Sequence, residues 1–303
     1  MKLKIISRSS KLALWQTEFV AQKLQEAGFS TKIVTIETKG DKILDRSLAK
    51  IGSKGVFTEE LEAKLLSGEV HLAVHSAKDL PSRLPEGLKI IAFTEREQMN
   101  DVLVSFKENI SLNDKIIVGT SSTRRIAVLK HFYPHIQTTE IRGNLQTRLQ
   151  KLQNGLCNAL ILAYAGVKRM NYEHLVCEHL PLEIFTPTAG QGSIAVEISE
   201  HLEENLQEKL KKILNHEATA ICVEAERAFL HTLQGGCSVP VFVLATWQGE
   251  KIYLQGGLLA WNGEKIIRKT ALCLPTEAKN TAIHLANEVL ASGGKEILAV
   301  ASK

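Results

Sequence analysis

Short apolar runs of strand character alternate with amphipathic helical ones through the first half of the chain, and this alternation most confines the fold. Lys2 to Ser7 reads as a strand, and Leu12, Trp15, Phe19, Val20 and Leu24 fall on one stripe of a helix that Gly28 stops. Thr31 to Thr38 is a second strand. Thr58 caps a helix with Glu59 and Glu60 in its first turn, and Val70 to Val74 is a buried strand leading into His75-Ser76-Ala77-Lys78-Asp79. A strand from Leu88 to Phe93 precedes a charged stretch, Thr94 to Asp101, that reads as a first domain boundary. The pattern then resumes, with strands at Ile116 to Gly119, Thr138 to Ile141 and Ala159 to Ala163, and helices at Arg124 to Phe132 and Leu145 to Gln153. Strands and helices in this order imply an α/β protein with parallel sheets and short crossovers. From His216 the pattern changes to one long helix, three strand-like runs (Val239 to Thr246, Ile252 to Leu259, Lys265 to Leu274) and a helix from Glu277 to Leu290. That tail describes a separate small α+β domain. No internal repeat is visible in the sequence.

With 303 residues, 44% of them hydrophobic, the chain can build two or three cores without disulfides or structural metals. No apolar run approaches the roughly 20 residues of a membrane span, and the opening strand runs into polar Ser7-Arg8-Ser9-Ser10 rather than a signal-peptide core. The cytoplasm is therefore the expected location. Five cysteines make an odd count with no pair at C-x-x-C spacing, which argues against a disulfide scaffold or a zinc cage. Residues 1 to 195 carry 26 basic and 20 acidic side chains, and residues 196 to 303 carry 11 and 13. An excess this small, with few aromatics, is no nucleic-acid face; it matches a small anionic ligand. No metal, nucleic-acid or membrane partner is expected.

Six of the eleven arginines (Arg8, Arg124, Arg125, Arg142, Arg148, Arg169) fall just after strands or in the helices they lead into, the end of an open α/β sheet where ligands bind. Thr120-Ser121-Ser122-x-Arg124-Arg125 sets hydroxyls and free N–H groups at a helix N-terminus beside two guanidinium forks. The same residues also describe a capped helix with solvated arginines; the recurrence at Arg142-Gly143-Asn144 favours an anion. Asp79, at the end of a buried strand, either caps a turn or faces a cation at the sheet mouth. His75 alone more often satisfies a backbone group than catalyses. Ala189-Gly190-Gln191-Gly192 is a turn where backbone approaches something closely, and is no dinucleotide fingerprint. In Gly235-Gly236-Cys237-Ser238 the cysteine is either an accessible thiol or a small hydrophobe at a tight turn. The stretch from Gly40 to Phe57, with three glycines and several basic side chains, reads as a long functional loop.

Taken in order, Arg8-x-Ser10-x-Leu12-Ala13-Leu14-Trp15-Gln16, Thr38-Lys39-Gly40-Asp41, Lys54-Gly55-x-Phe57, His75-Ser76-x-Lys78-Asp79, Gly119-Thr120-Ser121-Ser122-x-Arg124-Arg125, Arg142-Gly143-Asn144-x-x-x-Arg148-Leu149, Gly190-Gln191-Gly192 and Gly235-Gly236-Cys237 resemble the porphobilinogen deaminase (hydroxymethylbilane synthase) family. Each motif is weak alone; eight in sequence are specific, and the part after Cys237 is the least patterned.

The resemblance implies two periplasmic-binding-protein-like lobes around a cleft and a small C-terminal α+β domain. The first lobe would be 1–94 with a return segment 193–212, the second 98–188, and the cofactor-attachment domain 215–303. It implies a monomer that condenses four porphobilinogen molecules into linear hydroxymethylbilane with release of ammonia. A dipyrromethane primer would be held covalently through Cys237. Carried onto this chain, Asp79 is the catalytic carboxylate, and Lys78, Ser121, Arg124, Arg125 and Gln191 contact the cofactor. Arg8, Ser10, Arg142, Arg148 and Arg169 face the substrate or growing chain, while Lys50, Lys54 and Phe57 belong to a lid. Each pyrrole carries an acetate and a propionate, so arginine forks suit the ligand. This chain departs from the family pattern at Lys11, Ala77 and Thr123, and at Thr186-Pro187-Thr188-Ala189, where the approach to Gly190 is usually more apolar. Rival readings are a solute-binding protein for a dicarboxylate or oxyanion, which would have no use for Gly-Gly-Cys or a third domain, and a phosphate-ester enzyme, for which a metal cluster or P-loop is lacking.

Overall fold

The computed structural model describes residues 2–38, 40, 58–234 and 239–301. The chain starts with β1 (Lys2–Arg8), α1 (Lys11–Glu26) and β2 (Ser30–Ile36), followed by α2 (Glu59–Leu66), β3 (Leu72–Ser76) and β4 (Leu88–Phe93). It then crosses to a second unit of β5 (Asp101–Val104), β6 (Ile117–Gly119), α3 (Thr123–Phe132), β7 (Gln137–Thr139), α4 (Leu145–Gln153), β8 (Ala159–Ala163), α5 (Tyr164–Arg169) and β9 (Val176–His179). A return crossover leads to β10 (Ile194–Ser199) and α6 (Glu204–Leu214). The tail is α7 (Glu217–Thr232), three strands β11 (Val241–Gln248), β12 (Lys251–Leu259) and β13 (Ile266–Cys273), and helices α8 (Ala278–Val289) and α9 (Lys295–Ala301).

The two five-stranded sheets share one topology. Their strand orders are β2-β1-β3-β10-β4 and β7-β6-β8-β5-β9. In each, four strands run in one direction, and the strand that arrives from the other lobe inserts antiparallel between the third and the edge strand. The sheets are thus mixed, where the alternating sequence pattern predicts parallel ones. The antiparallel insert is invisible to a local reading because β5 and β10 pair with strands about 60 and 120 residues away, set by the register Asp101↔Ala163 and Ala195↔His75. A structural duplication is also present that the sequence does not display. The described residues thus form two α/β lobes of like topology and a C-terminal sheet domain. Because β5 and β10 begin where β8 and β3 end, both crossovers pass the carboxyl ends of the parallel strands, where such sheets bind ligands.

In the first lobe, Leu3, Ile5, Val74, Val196 and Ile198 pack beneath α1 and α6, and Leu61 and Leu65 of α2 cover the opposite face against Ile6 and Ala73. The buried stripe of α1 is Gln16, Thr17, Val20, Ala21 and Leu24, rotated from the expected one, with Leu12, Trp15 and Phe19 only half-buried. The rotation has a cause: the first turns of α1 lie at the sheet mouth, where Gln16 meets Ser76. Helix α7 is a shared wall. Its Ala220 and Val223 pack on the first lobe with Ala77 and Phe93, while Cys222, Ala225 and Phe229 enter the core of the third domain.

Candidate functional site

Strand β3 delivers the chain into a single 3-10 turn, Ala77–Asp79, and that turn is pinned residue by residue. Gln16 Nε2 donates to Ser76 Oγ at 2.9 Å, and Ala77 N donates to Ser193 O of the return crossover at 3.0 Å. His75 Nε2 lies 3.0 Å from Glu197 Oε2, both side chains buried, so His75 supports the strand from the lobe interior. Gly190, at φ +74°, presses against the turn so closely that a Cβ there would sit 2.9 Å from the Ala77 carbonyl carbon. Lys78 and Asp79 complete the turn. Lys78 is half-buried and Asp79 is exposed, and Asp79 lines a pocket with Arg8, Ser10, Gln16 and Ser76. The Ser10 hydroxyl accepts from Ala13 N and so also caps α1.

Facing this turn, the second lobe concentrates its cations around one carboxylate. Asp101, the first residue of β5, is fully buried; its Oδ2 accepts from Arg124 Nη2 at 2.7 Å and from Arg125 Nε at 3.1 Å, and its Oδ1 from Arg125 Nη2 at 2.7 Å. Burial opposes its charge, but the two guanidinium groups outweigh that and hold its carboxyl well below the usual carboxylate range. Arg124 Nη1 also donates to Thr186 O and Arg125 Nη1 to Ile161 O. Gln191, expected among the cofactor contacts, has its amide nitrogen on Met99 O and Asp101 Oδ1, where it braces the crossovers. The helix cap of α3 is Ser122, whose hydroxyl accepts from Arg125 N, with Ser121 half-buried beside it.

Further cations line up around this core. Arg148, from α4, is oriented by a bond from its Nε to Gly143 O at 2.7 Å, and burial pushes its guanidinium down to about 10. Arg142 pairs with Glu140. Arg169 Nη2 donates to Gly192 O at 2.7 Å, and its guanidinium lies 5.5 Å from the centre of the Trp15 ring. Arg169 therefore joins the second lobe to the crossover and to α1 of the first. Lys78 feels Asp79, Arg125, Asp101 and Arg148 at once, so residues from both lobes share one electrostatic site. Together with Arg124, that site holds four cations against two carboxylates.

Burial pushes the Lys78 ammonium down to about 8, against the pull of Asp79. Its ordinary value is ~10.4. The lowered value means the cleft loses one cation as pH rises through about 8, while an unfolded chain would still hold that proton. Capture of a carboxylate ligand is expected to weaken over the same interval. Lys78→Arg, which stays charged, is expected to remove this alkaline limb from the pH dependence of cofactor loading; an unchanged limb would assign it to another group.

Several functional residues escape a sequence reading. Asp101 is hidden at the end of the charged stretch Thr94 to Asp101; the one local signal is an acid heading the apolar run Val102 to Val104. Arg96 and the fully buried Glu226 pair at 2.6 and 3.1 Å, and Glu226 also accepts from Gly190 N and Ala245 N. One carboxylate thereby joins α7, both crossovers and β11. Lys50, Lys54, Phe57 and Cys237 lie outside the described residues.

Two α/β lobes that bring cations from both sides to one electrostatic site, with a third domain bonded to both crossovers, have the charge balance of a protein suited to a small polyanion. A family model for the porphobilinogen deaminase dipyrromethane cofactor binding domain matches residues 3–223, and one for the porphobilinogen deaminase C-terminal domain matches residues 220–291. The chain is 48% identical over 302 residues to a porphobilinogen deaminase of Desulfosudis oleivorans, covering 99% of this chain and 97% of the relative. It is 50% identical over 303 residues to a porphobilinogen deaminase of Cytophaga hutchinsonii, with the same coverage. Among solved structures, it is similar to a nutrient binding protein from Burkholderia cenocepacia bound to methionine, at 11% identity and TM-score 0.44, covering 70% of this chain and 90% of that one. The chain belongs to the porphobilinogen deaminase family. It is a transferase of porphyrin biosynthesis that polymerises porphobilinogen into hydroxymethylbilane and uses a dipyrromethane cofactor. The donor set fits that cofactor, since a group carrying several carboxylates needs an excess of fixed cations.

Proposed function

We propose that Asp79 is the catalytic carboxylate of this polymerisation and that the cations around Asp101 form the carboxylate cradle opposite it. The observation that carries this reading is the convergence on one site of Lys78 and Asp79 from the first lobe with Arg125 and Arg148 from the second. When bound, the dipyrromethane supplies the pyrrole carbon from which the chain grows. Cys237 holds it, and Lys78, Ser121, Arg124, Arg125 and Gln191 form or brace its seat. Arg124 and Arg125 share the single charge of Asp101, so the trio keeps one net positive charge for a ligand carboxylate. Arg8, Arg142, Arg148 and Arg169 bind the acetate and propionate groups of incoming porphobilinogen, and Ser10 shapes the pocket mouth. The Asp79 carboxylate accepts from the pyrrole N–H of the substrate and lowers the energy of the cation left on it when ammonia departs. Holding both reactants between the lobes lowers the entropic part of the barrier.

Lobes 1–94 with 193–212 and 98–188 would close about the crossovers, with Lys50, Lys54 and Phe57 as the lid, while 215–303 presents Cys237. A cytoplasmic monomer is the working form. Cys157, Cys177, Cys222 and Cys273 are free thiols, as a reducing compartment favours. The test is stoichiometric. Purified protein given porphobilinogen is expected to release four ammonia per linear tetrapyrrole formed; ammonia release without a tetrapyrrole would contradict the reading.

A further inference from the structure

We propose that Arg268, in the third domain, is a positioning residue for the arginine cradle of the second lobe and acts on it through Thr186. The inference rests on the cradle reading of Arg124. Arg268 Nη1 donates to Thr186 Oγ1 and to Gln255 Oε1, each at 3.0 Å. The single hydroxyl proton of Thr186 goes to Leu182 O at 2.7 Å, which leaves Oγ1 free to accept from Arg268. The carbonyl of the same residue accepts from Arg124 Nη1 at 2.9 Å, and Arg124 Nη2 ends on Asp101. Thr186 is 1% exposed, so the relay from half-buried Arg268 on β13 to the cradle passes through a buried residue.

The sheet of the third domain is built to let Arg268 make this reach. Phe242, Gly257 and Arg268 occupy one cross-strand row. A Cβ at Gly257 would stand 2.6 Å from Phe242 Cζ and 1.9 Å from Ile267 O, so only glycine leaves the row open. Across that gap the guanidinium lies 4.8 Å from the centre of the Phe242 ring, and Phe242 itself is packed in the core of the second lobe with Leu103 and Phe185. Val243 N donates to Pro187 O at 3.0 Å, so the third domain grips the 186–187 segment by backbone as well. The polar link therefore lies at the joint between the third domain and the second lobe.

The test follows cofactor loading on the full chain by intact mass after porphobilinogen is added to its unloaded fraction, alongside thermal unfolding. Arg268→Leu and Thr186→Val are each expected to slow loading roughly tenfold, the effect of losing one charge-assisted bond. The double variant is expected to be no slower than either single one, because both break the same relay. Arg268→Lys keeps the charge but loses the planar group over Phe242, and is expected to load at a rate between those of the parent and Arg268→Leu. Loading at the parent rate in both single variants would overturn the proposal, even if unfolding temperatures fell, since a mere brace between domains would act on stability alone. Slowing that multiplies in the double variant would overturn it too. Loading at the parent rate in Arg124→Lys would instead overturn the cradle reading beneath it.

Discussion

Asp79→Asn is expected to load its cofactor and bind porphobilinogen, yet to release ammonia about 10² to 10³ times more slowly in a single turnover, the range for removing a group that stabilises developing charge. The expectation follows from place and surroundings. The 3-10 turn that carries Asp79 is held at His75, Ser76 and Ala77 by groups that the substitution does not touch. Asparagine therefore inherits the position and most of the hydrogen-bonding capacity, and loses only the charge. Lys78 and Arg148, which lie close enough to feel that charge, remain to hold carboxylates. Asp79→Glu keeps the charge one methylene further out and is expected to retain more activity than Asp79→Asn. A loaded Asp79→Asn protein that turns over within a few-fold of the parent would show that charge at this position does not drive the reaction.

Asp101→Asn is expected to cost about 3 to 5 kcal/mol of stability, the usual penalty for removing one partner of a buried ion pair. Two guanidinium groups, about 5% exposed each, would be left without their counter-charge, and the Nδ2 of asparagine would put a donor where these buried donors now find an acceptor. Chemical denaturation at neutral pH measures the loss, as an early transition of the second lobe. The parent and the variant should also differ in acid. The folded-state value of Asp101 lies below its unfolded value of ~3.9, so its contribution is complete above that pH and disappears as pH falls toward the depressed value. The gap between parent and variant should therefore narrow on acidification below ~3.9. A neutral-pH midpoint equal to the parent's would contradict the role of Asp101 as the charge that holds Arg124 and Arg125.

The parts of this molecule that a sequence reveals are those written in local periodicity. The helix predicted from His216 to Leu233 is Glu217–Thr232, and the three strand-like runs of the tail are β11, β12 and β13 within two residues at each end. Arg8, Lys78, Asp79, Arg148 and Arg169 stand out in the sequence as charged side chains just past apolar strands or in the helices that follow, and Lys78, Asp79 and Arg148 do meet in one electrostatic site. The insertion of β5 and β10 was not legible, since pairing across 62 or 120 residues leaves no local trace. The balance within the site was hidden for the same reason. Arg124 and Arg125 read as two free forks at a helix N-terminus, whereas a residue more than 20 positions earlier takes up most of their inward-facing donors. Arg96 and Glu226, 130 residues apart, meet only because α7 packs against the first lobe and the third domain.

The central claim, a cleft that extends a chain anchored on this protein's own cysteine, is tested most directly by peptide mapping of the reduced protein before and after porphobilinogen is added. The expected result is a pyrrole adduct on Cys237 that survives reductant, as a thioether does and a disulfide cap does not, and that grows by steps of one porphobilinogen less ammonia. An adduct on Cys157, Cys177, Cys222 or Cys273, or a Cys237→Ser protein that still carries a growing chain, would contradict it.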